Sequence, residues 1–298
     1  MFSGCGTALV TPFRRDQSLD EEALRRLVRR QVEAGVNFLV PCGTTGESPT
    51  LTLAEQSRVV EITLEEAQGR IPVLAGAGGY DTAGVIELAR ELKAIGVNGI
   101  LSVTPYYNKP SQEGLYQHFR AIASAISLPL VLYNVPGRTG CNMEPGTVSR
   151  LAEIDNIVGI KEASGSISQM AAVLAKVPEQ FVVLSGDDAI TLPLLAMGGR
   201  GIISVVSNEI PTEMSQLARL CLAGDFVAAR EIHRQYLGLM EVNFIESNPI
   251  PVKAAMALMG LLEPVWRLPL VAPRAESLAK IRSTLESIGI VQQAYAAN

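Results

Sequence analysis

The chain has 298 residues, of which 48% are apolar and 18% charged, with a formal net charge of −5. This length and composition specify a folded, well-cored protein and exclude a disordered or fibrous one. The acidic balance and the lack of a long basic run exclude the phosphate-neutralising stripe of a nucleic-acid binder. No apolar run approaches the roughly 18 residues of a membrane span. The opening MFSGCGTALVTPFRR places its positive charge after the apolar stretch, the reverse of a secretory leader, so a cytoplasmic protein is expected. Cys5, Cys42, Cys141 and Cys221 are scattered with no C-x-x-C pair and read as buried thiols. His118 and His233 are the only histidines, too few for a His-rich metal centre or a Ser-His-Asp triad, and no metal is expected.

Short apolar runs then recur in chain order: TALV (7 to 10), NFLVP (37 to 41), PVLAG (72 to 76), GILSV (99 to 103), PLVLY (129 to 133), IVGIK (157 to 161), FVVLS (181 to 185) and GIISV (201 to 205). Helical spacing fills the gaps, as in LAEQSRVVEITLEEAQ (53 to 68) and DTAGVIELARELKAIG (81 to 96). Strands that are apolar throughout are buried on both faces, as parallel strands under helices must be. Eight such units predict an α/β protein with a closed (β/α)8 barrel. The rival is an open doubly wound sheet. Its dinucleotide fingerprint is missing, since GAGGYD (76 to 81) has Asp81 where the last glycine belongs. Beyond residue 224 the strand signal stops, and the text is helical with Pro249, Pro251, Pro264, Pro269 and Pro273 as punctuation. The expected organisation is a barrel over 1–224 and a C-terminal helical extension over 225–298.

In such a barrel the reactive groups come from the C-terminal ends of the strands. Those ends are polar here: CGTTGES (42 to 48), TPYYNK (104 to 109), YNVPGRTG (133 to 140), KEASG (161 to 165) and SGDD (185 to 188). Of the lysines only Lys161 stands directly at the end of an apolar strand; Lys93, Lys176, Lys253 and Lys280 fall in helical patterns and Lys109 in a loop. An amine walled by barrel side chains loses hydration, gives up its proton more readily and can attack a ketone. A structural ion pair with Glu162, Asp187 or Asp188 explains the position equally well at this level. Tyr133, ending the adjacent strand, offers a phenol to shuttle protons, and Thr44 and Tyr107 offer further hydroxyls. The backbone of GTTGE (43 to 47) suits a small carboxylate. Arg138, in a Pro-Gly-bounded loop, suits a second carboxylate gripped by two parallel hydrogen bonds.

The segments GTTGE, YNVPGRTG, GIKEASG (159 to 165) and SGDD together resemble the 4-hydroxy-tetrahydrodipicolinate (dihydrodipicolinate) synthase family, within the pyruvate-dependent class I lyases that include N-acetylneuraminate lyase. The resemblance runs over essentially the whole chain. It implies that Lys161 forms an imine with pyruvate and that the derived enamine attacks L-aspartate 4-semialdehyde, in lysine and diaminopimelate biosynthesis. No external cofactor is implied. Thr44, Tyr107 and Tyr133 match the proton relay, with Tyr107 entering the site of a neighbouring subunit. Thr44 and Thr45 match the pyruvate contacts, Gly186 and Ile203 the positions whose carbonyls line the pocket, and Arg138 the residue that separates these synthases from the sialic-acid lyases. The resemblance further implies a homo-oligomer, commonly a tetramer of two tight dimers. At the cleft where relatives bind inhibitory lysine, Ser48 and Tyr106 fit, but Leu53, Gln56, Tyr80 and Gly84 replace the polar and acidic ligands, so weak or absent inhibition is expected. The competing readings are a pyruvate-type aldolase or dehydratase acting on a sugar acid, and a non-catalytic keto-acid-binding barrel.

Overall fold

The computed structural model describes residues 1–292; residues 293–298 of the expected extension lie outside the described residues. Eight parallel strands run β1 (Gly4–Ala8), β2 (Phe38–Val40), β3 (Leu74–Gly76), β4 (Gly99–Val103), β5 (Leu130–Asn134), β6 (Ile157–Glu162), β7 (Val182–Ser185) and β8 (Gly201–Ser204). They are hydrogen-bonded in the order β2-β1-β8-β7-β6-β5-β4-β3. A parallel bridge between Leu39 and Val73 joins the two ends, with Leu39 N donating to Pro72 O at 3.0 Å and Gly76 N to Pro41 O at 2.9 Å. The sheet is thus a (β/α)8 barrel. Gly76 makes this seam possible, because a Cβ there would fall 2.1 Å from the carbonyl oxygen of Cys42.

The helices start and stop where local chemistry dictates. α1 (Glu21–Glu33) is capped by Asp20, which accepts from Ala23 N. α2 (Leu53–Ala67) opens with a reciprocal capping box between Thr52 and Glu55. α3 (Thr82–Ile95) is capped by Asp81 and closed by Gly96 in the left-handed region. Ser111 caps α4 (Gln112–Ala125). Each such cap contributes about 1 kcal/mol. Shorter helices follow as α5 (Pro136–Thr139), α6 (Pro145–Leu151), α7 (Ile167–Leu174) and α8 (Thr191–Ala196), then α9 (Pro211–Leu222).

All eight expected strands are present. The first begins three residues before the expected TALV, because its outset is Gly4, Cys5 and Gly6, which carry no apolar run to read. Those small residues are demanded by packing. A Cβ on Gly6 would collide with the ring of Phe38 at 2.2 Å, and that ring meets Phe2 edge-on at 5.6 Å within the barrel. Side chains alternate along each strand, so Ile203 joins Ala8, Val40, Leu101, Val131 and Leu184 in the barrel interior, while its neighbour Ile202 packs outward with Cys5 and Met214.

Beyond β8 come α10 (Phe226–Val242), α11 (Ile250–Leu258) and α12 (Ala275–Ser287). Their apolar faces, including Leu239, Ala255, Ile281 and Leu285, share one cluster with Leu217 of α9 and Ile202 of β8. All four cysteines are buried free thiols. Among the described residues no helix is long and apolar enough to cross a membrane.

Candidate active site

The strand ends bring most of the expected residues to one rim. Tyr133 of β5 stands in register opposite Lys161 of β6, and the lysine Nζ lies 4.4 Å from the tyrosine ring centroid. Lys161 is 5% exposed and Tyr133 6%. Gly186, after β7, leaves room for the lysine stem, since a Cβ there would lie 3.0 Å from Lys161 Cε and 2.6 Å from Ala163 Cβ. Tyr133 also lines a cavity of about 240 Å³ with Thr44, Ser48, Tyr106 and Arg138. Lys161 and Ile203 are buried and Gly186 is half-buried, and none of the three lines that cavity; Tyr133 joins the two groups.

The ion-pair explanation for Lys161 meets a specific obstacle. Each acid that might neutralise it is committed elsewhere. Glu162, one residue on, points to the opposite side of the strand. Its carboxylate accepts from Ser164 N at 2.7 Å, Asn134 Nδ2 at 3.1 Å and Gln169 Nε2 at 3.2 Å. Asp188 accepts from Ser204 Oγ at 2.5 Å and from Val205 N at 3.0 Å. Burial pushes Asp188 up to about 6 despite those donors. Asp187 accepts from Ala189 N at 2.9 Å.

Thr45 is buried, and its hydroxyl accepts from Asn248 Nδ2 at 3.0 Å. Arg138 lies on α5 and donates to the carbonyl of the same Asn248 at 3.1 Å. Tyr107 is the outlier. Its side chain is 90% exposed, its φ is +68°, and it lies outside the cavity wall. Neither histidine is placed to act as a base here. His118 is buried against Thr82 Oγ1 at 2.9 Å, and desolvation pushes it down to about 4. His233 Nε2 meets the Ala189 carbonyl at 2.8 Å.

A family model described as "Dihydrodipicolinate synthetase family" matches residues 1–288. The chain belongs to this family. A 4-hydroxy-tetrahydrodipicolinate synthase of Koribacter versatilis is 54% identical over 295 residues, covering 99% of this chain and 98% of its own. The crystal structure of the dihydrodipicolinate synthase of Thermotoga maritima superposes with a TM-score of 0.96 at 47% identity, covering 98% of this chain and 100% of the other. A chloride-inhibited dihydrodipicolinate synthase of Acinetobacter baumannii, complexed with pyruvate, gives a TM-score of 0.96 at 42% identity, covering 98% of this chain and 100% of the other.

Sequence reasoning gave no supporting role to the residues packed behind Tyr133 and Lys161; it named Glu162 only as a possible ion-pair partner and Lys253 only as a helical lysine. Asn134 and Glu162 pair in register directly after Tyr133 and Lys161. Asn134 also donates to Asn142 Oδ1 at 2.9 Å and accepts from Met143 N at 2.9 Å. Two polar residues ending strands that are otherwise apolar were the available signal. Asn248 and Lys253 were passed over because they sit 200 residues downstream, although a lysine inside IPVKAAMAL is out of place on an apolar helix. Asn134→Ala removes one donor from the buried Glu162 carboxylate, and a buried acceptor left short costs about 1–3 kcal/mol. Urea denaturation is expected to show a loss of that size.

Proposed function

We propose that this chain catalyses the 4-hydroxy-tetrahydrodipicolinate synthase reaction, with Lys161 carrying pyruvate as an imine. The observation that carries the reading is a buried lysine beside Tyr133 whose neighbouring carboxylates are all engaged elsewhere. The neutral amine attacks the ketone carbon of pyruvate, and the carbinolamine loses water to give the imine. Loss of a methyl proton gives the enamine. The enamine carbon attacks the aldehyde of L-aspartate 4-semialdehyde, and the aldehyde oxygen becomes a hydroxyl. The substrate's amino group then displaces Lys161 in closing the ring. One water leaves overall, and the protonated imine formed on Lys161 serves as the electron sink, so no external cofactor is needed.

In this reading Tyr133 and Thr44 pass the protons, and their common position on one cavity supports the assignment. Thr44 and Thr45 cradle the pyruvate carboxylate, and the carbonyls of Gly186 and Ile203 line the deeper end of the site, behind Tyr133 on the Lys161 side. Arg138, on the cavity wall, grips the carboxylate of the semialdehyde. Tyr107 completes the relay in a second copy of the chain, a role supported by its exposure. The chain is accordingly a homo-oligomer, a tetramer of two tight dimers, with 1–224 as the catalytic barrel and 225–298 as its helical extension. A cytoplasmic setting agrees with the four free thiols. Lysine inhibition is weak or absent. Leu53, Gln56, Tyr80 and Gly84 supply no carboxylate for an ammonium, and Gln56 Nε2 is occupied by the carbonyls of Ser48 and Leu51, each at 3.3 Å.

Borohydride reduction in the presence of pyruvate is expected to leave a stable adduct that peptide mass mapping places on Lys161. An unmodified Lys161 would remove the mechanism. Arg138→Ala is expected to raise the KM for the semialdehyde about 10- to 100-fold, the value of a charge-assisted pair of hydrogen bonds, with little change for pyruvate. Equal effects on both substrates, or turnover of a sugar acid in place of the semialdehyde, would favour a different aldolase. Initial rates should be unchanged by lysine in the millimolar range, and strong inhibition would refute the reading of the cleft.

A further inference from the structure

Lys253 of α11 is completely buried, and its Nζ lies 2.5 Å from Oε1 of Glu47, whose side chain is equally buried. The remainder of α11, IPVKAAMAL, is apolar apart from this residue. A dry ion pair is a poor device for stability alone, because desolvating both charges offsets most of their attraction and an apolar pair packs as well. What such a pair supplies is one fixed relative position. Glu47 also holds a left-handed backbone at φ +54°, a conformation L side chains rarely adopt, so a glutamate is kept there against local preference. Its other oxygen accepts from Arg267 N at 3.4 Å, and the cations of Lys253 and Arg267 lie 4.4 and 4.3 Å from the Phe13 ring.

A second tether reaches the same loop. Asn248 Nδ2 donates to Thr45 Oγ1 at 3.0 Å, while its Oδ1 is buried with no partner among the described residues. The Thr45 hydroxyl is therefore the group this side chain serves. Both tethers land within the 43–47 loop, at Thr45 and Glu47, so its pose is set from the C-terminal helices as well as from β2.

We infer that the Glu47–Lys253 pair and the Asn248–Thr45 hydrogen bond form a clamp through which α11 positions the 43–47 loop for pyruvate. Lys253 and Asn248 are positioning residues, acting through Glu47 and Thr45. This rests on the reading of Thr44 and Thr45 as the pyruvate cradle.

The test compares full-length Asn248→Ala, Lys253→Met, the double variant Glu47→Gln/Lys253→Met, and Thr45→Val. Each is measured for the pyruvate concentration giving half-maximal borohydride trapping, the semialdehyde KM and the urea midpoint. Lys253→Met alone should unfold early, because it strands a buried carboxylate. The double variant removes both charges and should unfold at the wild-type midpoint, yet it and Asn248→Ala should each need about tenfold more pyruvate, the value of one well-placed hydrogen bond. The semialdehyde KM should stay within about twofold. A double variant and an Asn248→Ala with wild-type pyruvate trapping, while Thr45→Val raises it, would overturn the clamp and leave the cradle standing. If Thr45→Val itself leaves trapping unchanged, the cradle reading fails and the clamp with it. Should the Lys253 variants not fold, Asn248→Ala decides by the same criterion.

Discussion

The pleat of β5 and β6 is the constraint from which the site follows. Paired strands in register place Tyr133 beside Lys161 on the inner face and Asn134 beside Glu162 on the outer one. One residue of chain separates the amine from a carboxylate that would otherwise neutralise it. The outer pair is then tied into a polar network through Asn142 and Gln169, with Asn142 Nδ2 donating to Gln169 Oε1 at 2.8 Å. The proposed catalytic pair and the polar pair behind it thus share the same two strands and are kept apart by alternation alone. A one-residue slip of β6 would exchange the roles and bury the glutamate where the lysine stands.

Buried polarity elsewhere in the rim follows the same economy. Asp188 links the loop after β7 to the end of β8 through Ser204 and the amides of Val205 and Val206. Glu209, buried beside Asn243, is pushed well above the usual carboxylate range by desolvation. Glu47 is the contrasting case, a carboxylate answered directly by a buried ammonium. The three acids meet different kinds of partner: hydroxyl and amide donors for Asp188, one amide side chain for Glu209, whose Oε1 has no partner among the described residues, and a full charge for Glu47. The last ties together the most distant parts of the chain of the three, and leaving either member unpaired is strongly unfavourable.

The regular part of the fold was legible because it is written in periodicity. Eight apolar runs gave eight strands, and the capping residues Thr52, Asp81 and Gly96 fall where the helical spacing begins and ends. β1 was placed late because Gly4, Cys5 and Gly6 serve packing against Phe2 and Phe38 and show no hydrophobic pattern. Lys161, Tyr133, Thr44 and Arg138 could be read from position, since barrels concentrate function at strand ends. Asn248 and Lys253 could not, because their partners lie 203 and 206 residues away; the lone lysine in IPVKAAMAL marks a buried charge without naming what it meets. The competing ion pair for Lys161 illustrates the same limit: Glu162, Asp187 and Asp188 are close in sequence to the relevant strand ends, and only their three-dimensional donors show that they are committed.

Tyr107 carries this reasoning beyond one chain. A tyrosine in left-handed backbone costs about 1–3 kcal/mol, and here its ring is left 90% exposed, so burial of its own side chain does not offset the strain. Yet its surroundings are built with care. Tyr80 and Tyr106 meet edge-on at 5.4 Å, and Asn108 Nδ2 donates to the Tyr80 carbonyl at 2.9 Å, so residues on both sides of Tyr107 are fixed. A segment held firmly while it presents an aromatic ring outward is pre-organised for a surface outside its own fold. That is the geometry required of the proposed relay, in which one copy supplies the tyrosine that its neighbour's rim lacks. Ordering the arm in advance also lowers the entropy cost of assembling the complete site.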